Sequence, residues 1–128
     1  MAWFPTLYLR VGVNHVHARN ITKNIDASVT PEKPFTTQRV LVGNFLEAEL
    51  AIRKAIFQVY PRNIWLRPPP YIVVHPLALT EGGLSPVERR ALIEVCMAAG
   101  GGSGARTVTV HVGAELTDSE VENLIRAK

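Results

Sequence analysis

The chain has a single cysteine, Cys96, among its 128 residues. That excludes an internal disulfide and leaves no group of thiolates for zinc, so a reducing cytoplasm is the expected location. Long apolar runs are missing as well. No stretch approaches the ~20 apolar residues a bilayer-spanning helix needs. The opening segment Met1-Ala2-Trp3-Phe4-Pro5-Thr6 has no basic start, no long apolar core and no small-residue cleavage site, so it does not read as a secretory leader. Pro5 leaves Trp3 and Phe4 only about one helical turn, and a lead-in strand packed on the core is expected there rather than membrane contact. An excess of one charge is also absent. Fourteen Lys and Arg against eleven Asp and Glu give a net charge of +3. The basic residues are scattered and not interleaved with aromatics, so no nucleic-acid partner is expected.

What remains is globular in composition. A hydrophobic share of 47% with 20% charged residues lies near the average for folded domains and far from disorder. A chain of this length fits one domain, residues 1–128, with one ordinary core.

Leu7-Tyr8-Leu9-Arg10-Val11-Gly12-Val13 alternates with period two, Asn14 is a turn former, and His15-Val16-His17-Ala18-Arg19-Asn20-Ile21 follows. This pattern predicts a β-hairpin. A third strand is expected within Ile25 to Val29, ended by Pro31 and Pro34, and Gln38 to Val42 is a further extended segment. From Asn44, a good N-cap, to Tyr60, the residues Phe45, Ala48, Ile52, Ala55, Ile56 and Val59 recur at helical spacing. Leu46, Leu50 and Phe57 widen that apolar surface beyond a single core stripe, so burial on two sides, inside the domain or against a partner, is expected.

Pro68-Pro69-Pro70 leads stiffly into Tyr71-Ile72-Val73-Val74-His75, which reads as a central strand covered on both faces. Ser85-Pro86-Val87-Glu88 is a capping box with proline at the first helical position. It opens a helix to Ala99 with Val87, Ala91, Leu92, Val95 and Ala98 expected inward and Gly100 at its C-terminal turn. After the Gly100 to Gly104 loop, Arg106 to Val112 is β-branched and alternating. Thr117-Asp118-Ser119-Glu120 repeats the capping logic and opens a last helix to Lys128, with Val121, Leu124 and Ile125 inward. The order is two or three antiparallel strands, then helix, strand, helix, strand, helix. It predicts an α/β, ribonuclease-H-like topology: a mixed central sheet with an antiparallel hairpin and parallel strands, flanked by three helices.

Four strings are similar to the bacterial actins of the rod shape-determining MreB family. They are Arg67-Pro68-Pro69-Pro70-Tyr71-Ile72-Val73-Val74-His75-Pro76, Val87-Glu88-Arg89-Arg90-Ala91, the Ala98 to Val108 stretch around its glycine loop, and Arg39-Val40-Leu41-Val42-Gly43-Asn44-Phe45. The chain resembles the first half of that fold, an actin-like ATPase subdomain, over roughly residues 38 to 112. The resemblance implies a role in cell shape or cytoskeletal assembly. It also implies where nucleotide chemistry would sit, and there the chain departs from the family. The family's opening Asp-x-Gly-Thr, which positions the metal and cradles phosphate, is here Arg10-Val11-Gly12-Val13. Arg10 reverses the charge and Val13 offers no hydroxyl, so Gly12 and Asn14 remain as a degenerate nucleotide-binding turn. Val112-Gly113-Ala114 stands where the family carries Glu-Glu-Pro, with Glu115 close by.

Other chemistry is expected to be absent. Two-metal nucleases need carboxylates where Arg10 and His75 stand. His15 and His17 share one strand face, and His75 and His111 fall near the ends of adjacent strands, but paired imidazoles in this pattern are nonspecific and no metal is expected. Gly101-Gly102-Ser103-Gly104 precedes a strand rather than a helix and is not a phosphate loop. Cys96 has no catalytic partner beside it and reads as a buried thiol. The expectation is a nonenzymatic scaffold or protein-interaction domain with no catalytic residue and no cofactor. Its contact surface is formed by Leu46, Leu50, Phe57 and Trp65, and its partner is another protein or a second copy. The alternative is a partial nucleotide-binding relic completed by a partner.

Overall fold

The computed structural model describes residues 5–31, 45–60, 69–77, 85–99 and 105–126. It is an α/β arrangement of five strands and three helices: β1 (Thr6–Gly12), β2 (His15–Asn20), β3 (Ile25–Val29), α1 (Phe45–Val59), β4 (Tyr71–Pro76), α2 (Pro86–Ala99), β5 (Thr107–Val110) and α3 (Asp118–Arg126). The strands form one mixed sheet in the order β3-β2-β1-β4-β5. The first three pair antiparallel, while β4 runs parallel to both β1 and β5. The extended segment expected at Gln38 to Val42 lies outside the described residues, as do Trp65, Gly100 and the glycine loop.

The hairpin turns as its sequence requires. Asn14 sits at φ 49, a left-handed conformation that asparagine tolerates better than most side chains. Period-two alternation then divides the sheet. Leu7, Leu9 and Val11 of β1, Val16 and Ala18 of β2, and Ile72 and Val74 of β4 point to one face, where α1 and α2 cover them. Each fully buried Leu, Ile or Val side chain there contributes about 1.5–3 kcal/mol. Tyr8 and Val73 point the other way and meet Val121 of α3, with Leu116, Leu124 and Ile125 around them. That two-sided cover explains the unbroken apolar run of β4.

Both capping boxes form. Ser85 Oγ accepts from the Glu88 amide at 3.1 Å while Glu88 accepts from the Ser85 amide at 3.0 Å, and Thr117 and Glu120 repeat the exchange at 3.2 and 2.8 Å. The inward face of α2 is rotated from the expected one. Leu92, Val95, Cys96 and Ala99 are buried, whereas Val87 is 78% exposed and Ala98 is exposed. One turn before Leu92 the core stripe falls on Glu88, which is committed to the cap, so burial begins only in the second turn. β5 is also shorter than expected. Its pairing ends after Val110, although the His111 amide still donates to the Val74 carbonyl, and Gly113 at φ 130 then turns the chain across the sheet.

Asn20 locks the hairpin to the helical layer. It is fully buried, its Nδ2 donates to the Val59 carbonyl at the end of α1 at 2.9 Å, and its Oδ1 accepts from the Lys23 amide at 3.1 Å. A carbonyl in the last turn of a helix has no partner within the helix, and a side-chain amide supplies one here.

Candidate functional site

Two surfaces carry the residues singled out by the sequence. The first is the outer face of α1. Ala48, Ala51, Ile52, Ala55, Ile56 and Val59 turn to the core. Leu46, Leu50 and Phe57 are 61%, 50% and 53% exposed. At 100° per residue these three fall within a narrow stripe on the side opposite the core. Glu49 and Arg53 flank it on one side and pair at 2.5 Å, with Arg53 also donating to the Ala98 carbonyl of α2 at 3.2 Å. Glu47 and Lys54 flank it on the other side.

The second surface is the sheet face under α3. Sheet register sets Ser28 beside His17, His17 beside Arg10, and Arg10 beside His75. His111 comes next, its ring edge-on to His75 with centroids 4.8 Å apart. The hydrogen bond to Gly113 sets the tautomer of neutral His75. The Gly113 carbonyl can only accept, so His75 Nε2–H donates to it at 2.8 Å, and the neutral ring takes the Tyr8 hydroxyl proton on Nδ1 at 2.6 Å. The Tyr8 oxygen in turn accepts from the Leu116 amide at 3.1 Å. Burial is the main cause that lowers His75 below the ordinary imidazole value, helped by His111 and Arg10, while the bond to Gly113 opposes it. Burial also raises Tyr8.

Arg10 stands at the centre of the row. It pairs with Glu115 at 2.6 Å and donates to His17 Nδ1 at 2.7 Å. His17 Nε2 then faces Asp26 at 3.1 Å. Burial and the Arg10 charge lower His17, with Asp26 opposing them. Arg19 bonds Asp118 at 2.8 and 2.9 Å and also pairs with Asp26, tying the start of α3 to the hairpin. That ion pair lowers Asp118 from the usual carboxylate value. An open cleft of about 400 Å³ lies between the hairpin and the α3 lead-in, lined by Tyr8, Arg10, Arg19, Asp26 and residues 115–118.

The expected residues distribute unevenly over these surfaces. Gly12 and Asn14 close the hairpin at the end of β1, beside the row but outside the cleft lining. Both arginines that line the cleft are matched by carboxylates, so the cleft offers a phosphate little net charge. His75 and His111 do meet, as their strand positions imply. No group of three or more His, Cys, Asp or Glu suited to a metal occurs among the described residues. Cys96 is buried and its thiol is pushed up to about 12 by desolvation. The roles of Tyr8, Arg19 and Asp26 were not legible in advance. Period-two outward placement was their one signal, and it does not distinguish a solvated face from a bonded one.

Over 129 residues the chain is 32% identical to the protein YjaA of Escherichia coli (strain K12), described as uncharacterized, covering 95% of this chain and 98% of that protein. The chain belongs to the YjaA family. No family model matches it. The YjaA relation spans both surfaces, since it covers nearly the whole chain. No helix among the described residues of this YjaA-family chain is long and apolar enough to cross a membrane.

Proposed function

We propose that this YjaA-family chain is a nonenzymatic protein-interaction domain on a ribonuclease-H-like, actin-like scaffold, and that it pairs with a second copy of itself through the outer face of α1. The scaffold reading is supported by the strand order and by helices that follow β3, β4 and β5. The nonenzymatic reading is supported by Arg10 and His75 at positions where two-metal chemistry needs carboxylates. The cell-shape or cytoskeletal association rests on the likeness of the Arg67 to Pro76 and Val87 to Ala91 strings to bacterial actins.

The observation that carries the interaction reading is the apolar stripe Leu46, Leu50 and Phe57, backed by the charges beside it. On each flank the acid precedes the base along the helix: Glu49 before Arg53, and Glu47 before Lys54. A parallel pair of α1 helices would set like charges together. An antiparallel pair related by a two-fold axis sets Leu46 against Phe57, brings the two Leu50 side chains near the axis, and places Glu47 opposite Lys54 of the other copy. Such self-complementarity is what a two-fold interface requires.

Charge reversal tests it. Glu47→Lys alone and Lys54→Glu alone are each expected to weaken association in light scattering, because like charges then meet across the axis. Mixing the two variants restores both opposite-charge contacts and is expected to restore association. Two single variants that associate as the wild type does, with no effect of mixing, would falsify this pairing.

A further inference from the structure

All four histidines of the chain lie on or beside one row at one end of one sheet face: His15 and His17 on β2, His75 on β4, and His111 just beyond β5. Residues 111–117 cross this row as a strap and lead into α3. The strap is attached by the His75 ring to Gly113, the Tyr8 hydroxyl to Leu116, and Arg10 to Glu115. Inside the strap, His111 Nε2–H donates to the Ala114 carbonyl at 2.8 Å. Arg19 to Asp118 is the next anchor.

We propose that the strap and α3 form an acid-released latch, held on the sheet by neutral His75 and freed when His75 and His17 gain protons. The hydrogen bonds supply the reason. Tyr8 gives its proton to His75 Nδ1. Once that nitrogen is protonated it must donate instead, and the enclosed phenol proton loses its acceptor. The new imidazolium would sit in a desolvated place beside Arg10 of β1 and His111 beyond β5, facing Tyr8. Glu115 of the strap is the carboxylate on that side, and it is already engaged by Arg10. On the β2 side His17 faces Arg10, Asp26 of β3, His15 and Glu115; its protonation would remove the acceptor for Arg10 and loosen the Arg10 to Glu115 anchor. Glu120 of α3 acts on Tyr8. Release would uncover Tyr8 and Val73, the apolar patch that α3 now covers.

The direction in pH follows from linkage. His75 and His17 both lie below their ordinary value in the latched state, so the unlatched state binds more protons. The latch is therefore fully held above about pH 6.5 and is lost as pH falls through the lowered values. Asp118, its carboxyl held below the usual range by Arg19, remains ionised in that window.

Amide hydrogen exchange on the intact chain reads the latch. Corrected for intrinsic rates, protection at Leu116 and Val121 is expected to fall several-fold from neutral pH to about pH 5, while Leu9 and Val73 amides hold. His75→Gln keeps an N–H donor toward Gly113 and does not ionise, so its strap is expected to lose most of the pH response and keep only the part due to His17. Strap protection that ignores pH, strap and sheet opening together, or a wild-type response in His75→Gln would each overturn the proposal. Should that variant fail to fold, NMR titration of the wild type decides. His75 is expected as the Nε2–H tautomer with a midpoint below about 6.5; a midpoint at or above that value, or the other tautomer, overturns the latch.

Discussion

Replacing Asn20 with alanine should test most sharply how the two halves of the fold are joined. Asn20 is fully buried at the end of β2 and holds both the Val59 carbonyl and the Lys23 amide. Alanine leaves the carbonyl, on a residue that is itself fully buried, without its donor, and such an orphan costs about 1–3 kcal/mol. The Lys23 amide lies in an exposed turn and can bond water, so its loss adds about 0.5–1 kcal/mol. The truncated side chain also leaves a small void. The sum is about 2–4 kcal/mol, a large fraction of the stability of an ordinary domain. At roughly 3–5 °C per kcal/mol for a chain of this size, the melting temperature should fall by about 6–20 °C. Urea titration at fixed pH measures it, with the m-value unchanged. Asn20→Asp should be at least as damaging, because it retains the acceptor for Lys23 but points a carboxylate at the Val59 carbonyl. An alanine variant within about 0.5 kcal/mol of the wild type would show that the Asn20 bonds do not join hairpin and helix as described.

Three further outcomes are expected. Ser85→Ala removes one half of the α2 capping box and should cost about 1 kcal/mol by urea titration, with Glu88→Ala about equal. Cys96, its thiol pushed up to about 12 in a buried site, should react with a thiol reagent only at the rate of unfolding, and fast modification of the native chain would refute its burial. Calorimetric titration with ATP and magnesium should give no binding heat at millimolar nucleotide, because Arg10 and Arg19 are matched by carboxylates; saturable heat would favour the nucleotide-relic alternative.

Elements with strong local signals were readable from the sequence, and long-range bonds were not. The hairpin around Asn14, β3 at Ile25–Val29, and α2 at Pro86–Ala99 follow from period, turn residues and a capping box, all of which act within a few positions. The face of α2 was misjudged because Val87 is apolar and falls in step with Ala91, yet the first turn of that helix lies beyond the core and Val87 stays in solvent. The strap was invisible for a different reason. Tyr8 and His75 are 67 positions apart, and Tyr8 and Leu116 are 108 apart. Nothing local distinguishes a tyrosine that bonds a histidine from one that merely fills space. His75 and His111 were closer to legible, since adjacent parallel strands of similar length bring their ends together. The stripe Leu46, Leu50 and Phe57 was legible as excess apolar surface, and its exposure supplies the reason to seek a partner there.

The proposed pairing joins two copies of the chain through α1. Sedimentation equilibrium from about 10 μM to about 1 mM, a range spanning the affinity of modest interfaces, tests it most directly. The expected result is a mass rising from 14.1 kDa toward twice that value, with Leu50→Glu/Phe57→Glu remaining at the lower mass throughout. A wild-type chain that stays at 14.1 kDa across the whole range would rule out pairing through α1.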